Sequence, residues 1–290
     1  MASYRKVLHD AKQRLYEAGQ GEQAAQLLML ELANLEAHNL YMEYDQEVPD
    51  ELLERFEQGI HRMEKGEPLG HVLGFEWFYG YRFTVNPDVL IPRPETEELV
   101  ANILAGYDEF FEGRDVDVID IGTGSGAIAI SLSKEESHMH VAASDISDAA
   151  VAVAQKNAQD NEADVAFYVG DMLQPFIERG IKADILVSNP PYIPQDEKME
   201  HSVVDFEPHV ALFGGEDGLK FYRQIFEGAH QVLKEKAILA FEMGYDQGER
   251  LSKLALHYFP QARIEVVKDL SGKNRMLFVY HNLQDPNMNS

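Results

Sequence analysis

Asn189-Pro190-Pro191-Tyr192 is the segment of this chain whose residue types point most directly to chemistry. Two consecutive prolines fix φ and remove two N–H donors, so the backbone carbonyls are left to accept hydrogen bonds from whatever lies beside them. An amide or exocyclic amine nitrogen is a poor nucleophile because its lone pair is delocalised. Acceptors for its two N–H groups let electron density grow at nitrogen as a methyl group is transferred to it. Asn189 Oδ1 and the Pro190 carbonyl are the acceptors on offer, and Tyr192 can stack on a planar group and aim it for in-line attack. No strong base is needed beforehand, since the proton becomes acidic only once the nitrogen is alkylated. Asn189, Pro190 and Tyr192 are therefore the candidate catalytic residues, and Asn189, Pro190, Pro191 and Tyr192 the candidate substrate-binding set. In isolation the same tetrapeptide reads more readily as a plain Asn-Pro turn, and its place at the end of the fourth predicted strand reverses that.

A second constellation lies upstream. Gly122-Thr123-Gly124-Ser125-Gly126 follows an apolar run, Val116–Ile121, and opens a segment with Ile128, Ala129, Ile130 and Leu132 at helical spacing. Glycines here let the backbone turn sharply and approach a ligand, and the helix that follows presents free N–H groups. Asp145, at the end of the next β-branched run, is placed to accept hydrogen bonds from ribose hydroxyls. Asp171-Met172, after the third run, is expected over the adenine of such a ligand, since ligands of open α/β sheets sit beyond the carboxyl ends of the strands. Spacing alone leaves NAD and S-adenosylmethionine both open, because Ala127 stands where a dinucleotide pattern wants its third glycine.

The elements that must position these residues follow from periodicity. From Asp115 short β-branched runs alternate with helical stretches, which predicts βαβ units around a parallel sheet. The predicted strands are Val116–Ile121, His140–Ser144, Val165–Val169, Ile185–Ser188, Ile238–Glu242, Ile264–Lys268 and Met276–Tyr280. Only Asp269 to Arg275 separates the last two, too few residues for a crossover helix, so as neighbours they must pair antiparallel. A mostly parallel sheet closed by an antiparallel hairpin is the expectation for a class I methyltransferase, an α/β Rossmann-like fold of seven strands, whereas a dinucleotide dehydrogenase would continue with parallel crossovers. Before this sheet, residues 3 to about 65 read as helices, with Val7, Leu8, Ala11 and Leu15, then Leu27, Leu28, Leu30, Leu32 and Leu35, at spacings near 3.6, and with Leu52, Leu53, Phe56 and Ile60 on the inner face of the last helix. The aromatic, glycine-punctuated stretch Glu67 to Pro87 reads as a β-hairpin. The expected organisation is thus a helical bundle over 1–72, a linking hairpin over 73–90 and a catalytic domain over 91–284.

Composition bounds the partners. The chain has 290 residues, 50 acidic against 25 basic, for a net charge of −25 and no cysteine. So negative a surface repels phosphate backbones, which makes nucleic acid a poor first expectation as partner. The absence of cysteine rules out disulfides and thiolate metal sites and suits a reducing cytosol. No stretch is apolar enough for a signal-peptide core or a membrane span, so a cytoplasmic protein is expected; a monomer without a metal is expected as well. The pair His138 and His140 lacks a third ligand in view, and the acidic clusters Asp108 to Glu112 and Glu197 to Glu207 read as solvated faces.

Taken together, these motifs resemble the HemK/PrmC family of protein-(glutamine-N5) methyltransferases. The resemblance is carried by the helical N-terminal part, Gly74-Phe75-Glu76-Trp77-Phe78-Tyr79-Gly80, the segment from Val85 to Glu97, the glycine loop, Asn189 to Tyr192, and Leu212-Phe213-Gly214-Gly215-Glu216-Asp217-Gly218-Leu219. Asn-Pro-Pro-Tyr is shared with methyltransferases that act on nucleic-acid amines. Ile91 to Glu97 and Leu212 to Leu219 are the more specific stretches. The resemblance implies methyl transfer from S-adenosylmethionine, leaving S-adenosylhomocysteine, to the glutamine of the Gly-Gly-Gln motif in class I peptide chain release factors. It implies that Gly122, Thr123, Gly124, Ser125, Gly126, Asp145, Met172 and Asn189 contact the cofactor and that Asn189 to Tyr192 hold the glutamine. It further implies that Pro92 to Thr96 closes over the cofactor and that the helical bundle serves substrate recognition. Gly70-His71 and Met172 depart from the pair and the aromatic residue that many members carry there. A base-modifying enzyme and a cofactor-fold binding module without turnover are the competing readings. The first would call for a basic, aromatic-bearing surface, the second for vacancies among the catalytic positions.

Overall fold

The computed structural model describes residues 2–197 and 205–283. The central part of the acidic cluster Glu197 to Glu207 and the expected boundary at 284 lie outside the described residues. Two compact units are present, one holding the chain up to Phe75 together with Asp205–Glu207, the other from Glu76 to Glu197 and from Pro208 onward.

The first unit is helical: α1 (Tyr4–Glu17), α2 (Gln23–Ala33), α3 (Ala37–Glu43), α4 (Asp50–Glu64) and α5 (Leu69–Leu73). Ser3 caps α1 by accepting the Lys6 N–H, the usual service of a Ser at that position. Leu8, Leu15, Leu28, Met29, Leu40, Phe56 and Ile60 are sealed in its core. Gly59 lets α4 approach α2 closely, since a Cβ there would meet Leu28 Cδ2 at 2.7 Å. Arg14 ties α1 to α4 through a two-pronged pair with Glu64 at 2.8 and 3.0 Å and a third bond to Glu57 at 2.6 Å. Leu27, one of the apolar positions of the helical pattern, is half exposed, because α2 is apolar nearly all round and Ala25, Leu28 and Met29 take the inner face. One expectation needs correction: the hairpin is shorter than Glu67 to Pro87, for Leu69–Leu73 winds into α5, which ends at Gly74 in the left-handed conformation.

The hairpin proper is β1 (Phe75–Phe78) and β2 (Tyr81–Thr84). Its two-residue turn has φ +51° at Tyr79 and +80° at Gly80, matching the tight turns that suit twisted strands. The second unit then continues with α6 (Pro94–Phe111), β3 (Val116–Ile121), α7 (Ala127–Glu135), β4 (Met139–Asp145), α8 (Asp148–Asp160), β5 (Val165–Val169), α9 (Gln174–Arg179), β6 (Ala183–Ser188), α10 (Lys220–Ala229), β7 (Leu233–Glu242), α11 (Gly248–Tyr258), β8 (Arg263–Lys268) and β9 (Asn274–His281). Seven strands form one sheet in the order β5-β4-β3-β6-β7-β9-β8. All pairings are parallel except those of β9, which runs antiparallel to both β7 and β8. The predicted antiparallel closure is therefore present, with β9 inserted between β7 and β8.

Helices cover both faces, so the strands read as nearly unbroken apolar runs. Val116 and Val118 of β3 face a core made with Leu99, Ile103 and Tyr107 of α6 and Ala129, Ile130 and Leu132 of α7. Ile119 and Ile121 face a second core with Tyr222, Ile225 and Phe226 of α10 and Leu251 and Ala255 of α11. The chain passes from β3 outward to β4 and β5, then returns to β6 on the other side of β3. Such a switch point opens a crevice at the carboxyl ends of the two strands.

Candidate active site

Strand register assembles the site. Ile121 of β3 pairs with Ser144 of β4 and with Ser188 of β6, and Ser188 pairs with Phe241 of β7. The next residue of each strand therefore stands in one row: Asp145, Gly122, Asn189 and Glu242, on neighbouring strands roughly 4.8 Å apart. Ser188 Oγ donates to the Ile121 carbonyl at 2.7 Å and locks β6 to β3 one residue before the site.

In front of Asp145, Gly122 and Asn189 of this row lies a cleft of about 300 Å³, lined by these three with Gly124, Met172 and Pro191 and also by Asp88, Val89, Leu90, Val210 and Phe221. Gly122 and Gly124 have φ of +70° and +54°, and a Cβ on either would meet nothing within 4 Å, so side chains there would stand in the cleft instead of against protein. Gly124 N–H donates to Asp145 Oδ2 at 2.9 Å and Ser147 N–H to Oδ1 at 2.9 Å, which aims the carboxylate while sparing further lone pairs. Met172 sits at φ +46°, unusual for a side chain of its size, with its carbonyl accepting from Ser144 Oγ at 3.2 Å.

The remaining predicted residues do not all face the cleft. Gly126 begins α7 with φ +83° and lies where a Cβ would be 2.9 Å from Ile130 and 3.1 Å from Ala154, so its role is close packing. The Thr123 side chain turns inward to donate to Asp120 Oδ2 at 2.6 Å, and Ser125 is buried with its carbonyl accepting from Asn157 Nδ2 at 2.8 Å. Pro190 is buried and Pro191 forms the cleft wall. Tyr192 directs its hydroxyl to Glu242 Oε1 at 3.1 Å, and its carbonyl accepts from Gln247 Nε2 at 2.8 Å. The stretch Pro92 to Thr96 does not line the cleft. Asp88 to Leu90 do, because α6 starts at Pro94 and carries Thr96 inward against β7.

Residues 6–74 match the model of the PrmC N-terminal domain, and residues 102–206 that of the methyltransferase small domain. The release factor glutamine methyltransferase of Bacillus cereus is 43% identical over 266 residues, covering 91% of this chain and 94% of that protein. Its counterpart in Bacillus subtilis is 44% identical over 270 residues, covering 92% and 94%. The chain belongs to the release factor glutamine methyltransferase family. A methyltransferase from Pyrococcus furiosus, 16% identical, superposes with a TM-score of 0.54 over 71% of this chain and 91% of that one and shares the fold.

Several residues of this family member went unforeseen. Thr96 Oγ1 donates to Glu242 Oε2 at 2.6 Å and accepts from Asn189 Nδ2 at 3.3 Å. Glu242 is buried, which pushes its carboxyl upward, while the Thr96 and Tyr192 hydroxyls and the Arg275 cation pull it back. Gln247 bonds Tyr192 and, through Oε1, the Gly244 N–H at 2.9 Å. The signal available in the sequence was position: Glu242 ends its strand as Asp145 ends β4, and Gln247 follows five residues later. The family-specific stretch Leu212 to Leu219 also finds its purpose. Ile193 N–H donates to the Leu212 carbonyl at 3.1 Å and Gly214 N–H to the Ile193 carbonyl at 2.8 Å, a short parallel bridge that clamps the chain just past Tyr192. Among the described residues no cluster of three metal-ligating side chains occurs, and no helix is long and apolar enough to cross a membrane.

Asp120, two residues before Gly122 of the row, is fully buried at the foot of the glycine turn. Burial pushes its carboxyl up to about 7, the Thr123 hydrogen bond opposes this, and the Asp145 charge adds to it. The folded protein thus holds this proton more tightly than the unfolded chain does. Its contribution to stability is complete below about pH 4 and is lost as pH rises to about 7, a change of about 4 kcal/mol by linkage. Asp120→Asn should remove that slope. In urea unfolding from pH 4 to 8, the stability of the wild type relative to the variant is expected to fall steadily with pH, and a pH-independent difference would refute the assignment.

Proposed function

We propose that this enzyme transfers the methyl group of S-adenosylmethionine to the side-chain amide nitrogen of the glutamine in the Gly-Gly-Gln motif of class I peptide chain release factors, acting in the cytoplasm as a monomer. The observation that carries the reading is the row of Asp145, Gly122 and Asn189 along one cleft, with the Asn189 amide nitrogen engaged by Thr96 and its Oδ1 left for the cleft. The residues present fit S-adenosylmethionine. Open space over Gly122 and Gly124 is a cradle that side chains would fill, and the aimed Asp145 carboxylate suits ribose hydroxyls. Gly122, Gly124, Asp145, Met172 and Asn189 would hold it, with Thr123, Ser125 and Gly126 shaping the turn. Bound there, it supplies an electrophilic methyl on a sulfonium.

The chain's own part is to present a weak nucleophile. Asn189 Oδ1 and the Pro190 carbonyl accept the two N–H groups of the glutamine amide, which keeps its plane fixed and raises electron density on nitrogen as the new bond forms. Tyr192, half-buried next to Pro191 of the cleft lining with its hydroxyl held by Glu242 and its carbonyl by Gln247, would stack its ring on that plane. The proton of the alkylated nitrogen, acidic once the new bond has formed, is lost to solvent, so no buried base is required. A base-amine substrate would use the same acceptors. The net charge of −25 and the family relatives favour a protein substrate instead.

The test is incubation of the purified protein with methyl-labelled S-adenosylmethionine and a recombinant release factor, with the label located by mass spectrometry. Label on the Gly-Gly-Gln glutamine is the expected result. Label only on nucleic acid in parallel reactions would overturn the reading.

A further inference from the structure

We propose that Glu242, acting through Thr96, is a positioning residue that fixes which way round the Asn189 side-chain amide faces the cleft. The inference rests on the glutamine-methylating reading for its consequence. An asparagine amide is nearly symmetric in shape, so packing alone discriminates poorly between Oδ1 and Nδ2. Only the oxygen can accept an N–H of a substrate amide, and the flipped side chain would meet it with two donors. Something must therefore set the polarity.

The hydrogen-bond chain does so by counting protons. As a carboxylate, the form that the Thr96 and Tyr192 hydroxyls and the Arg275 cation favour against burial, Glu242 has acceptors only. Thr96 Oγ1 lies 2.6 Å from its Oε2 and must spend its single proton there. Having donated, the Thr96 hydroxyl can only accept from its other neighbour, and the group it faces at 3.3 Å is accordingly Asn189 Nδ2. Oδ1 is thereby turned away from Thr96. The second Glu242 oxygen accepts from Tyr192 at 3.1 Å, so the same carboxylate also sets the direction of the tyrosine hydroxyl. Thr96 and Glu242 are 4% and 3% exposed, and no bulk water competes to satisfy or reverse the chain. The groups bearing on the carboxylate are Thr96 and Glu95 from α6, Tyr192 after β6, and Arg275 from β9. Tyr222 of α10 donates to the Glu242 backbone carbonyl at 2.6 Å, which holds the residue in place without consuming a carboxylate oxygen. Thr96 and Glu242 lie outside the cleft lining, which separates their role from that of residues that touch the ligands.

The experiment compares Thr96→Val, which keeps the shape and removes the hydroxyl, with Thr96→Ser, which keeps the hydroxyl, and with Glu242→Gln, which destroys the acceptor-only end. The first readout needs neither cofactor nor substrate: the side-chain NH2 resonances of Asn189 in asparagine-selectively 15N-labelled protein, assigned by their loss in Asn189→Asp. They are expected to shift and to exchange faster with water in Thr96→Val and Glu242→Gln and to stay at wild-type positions in Thr96→Ser. The second readout is steady-state methylation of the release factor. There kcat should fall on the order of 10- to 100-fold in Thr96→Val with KM for S-adenosylmethionine little changed, and Thr96→Ser should restore most of it. Unmoved Asn189 resonances in folded Thr96→Val, or a Thr96→Ser enzyme as slow as Thr96→Val, would overturn the proposal. A wild-type protein that leaves the glutamine unmethylated would overturn the functional reading, while the resonances still decide the polarity on their own.

Discussion

Replacing Asn189 by alanine is expected to slow methyl transfer to the release factor by roughly 10²- to 10³-fold, the loss typical of removing one preorganised hydrogen-bonding group that matters most as charge develops. The direction follows from what the amide nitrogen needs. Delocalisation into the carbonyl has to be relinquished as nitrogen attacks, and an acceptor on its N–H group becomes a better partner as that happens. Alanine offers none and also strips Thr96 of its donor, so the hydroxyl at 3.3 Å loses the contact that ties it to the cleft. Asn189→Asp keeps an acceptor oxygen but cannot donate to Thr96, and it sets a second carboxylate near the buried Glu242, so it too should be slow. Initial rates with labelled S-adenosylmethionine, alongside the affinity of each variant for S-adenosylhomocysteine, separate lost chemistry from lost binding. An alanine variant with the wild-type kcat would remove Asn189 from the reaction.

The architecture was legible because buried parallel strands must be apolar on both faces. The buried run Val116–Ile121 has the same bounds in the fold, and so does Val165–Val169, whose apolar residues mark it although it lies half exposed at the sheet edge. Where charge interrupts a strand, legibility fails: β7 begins at Leu233, five residues before the apolar run at Ile238, because Lys234, Glu235 and Lys236 obscure its start. Lys234 earns its place there by meeting Asp117 and Asp184 at 2.6 and 2.7 Å. The short helix α5 carries a glycine and a β-branched valine and has too few residues to show a period. Within the site, Gly122, Asp145, Met172 and Asn189 were visible as strand-end residues with a motif around them. Glu242 was not, since a single carboxylate at a strand end carries no local pattern, and Thr96 was visible only as the end of the Pro92 to Thr96 stretch, without its link to Glu242 and Asn189. What joins them is the β6–β7 register and the packing of α6 against β7, properties of the fold and not of any one segment. Tyr192 shows the complementary limit: its type suggested stacking, while its hydroxyl bond to Glu242 depends on a residue fifty positions away.

Gly218→Ala should be the most damaging single-methyl addition outside the cleft lining. Gly218 has φ +73°, and a Cβ there would lie 2.3 Å from the Tyr192 carbonyl oxygen and 2.4 Å from Gln247 Nε2, the two atoms whose 2.8 Å hydrogen bond holds the end of the tetrapeptide. Neither can retreat cheaply. The carbonyl belongs to the backbone clamped by the Ile193–Phe213 bridge, and the Gln247 side chain is buried with its oxygen committed to Gly244. Backbone strain and overpacking together put the expected loss at about 2–4 kcal/mol. Gly272→Ala is the control, because it has nearly the same φ, +79°, with nothing within 4 Å of the added Cβ, and should show the strain alone, about 1–2 kcal/mol. Urea unfolding of both variants isolates the steric part. Turnover of the folded fraction then reports whether displacing the Tyr192 carbonyl disturbs the acceptors at Asn189 and Pro190, and a Gly218→Ala enzyme as stable and as fast as Gly272→Ala would mean that this clamp does not hold the site.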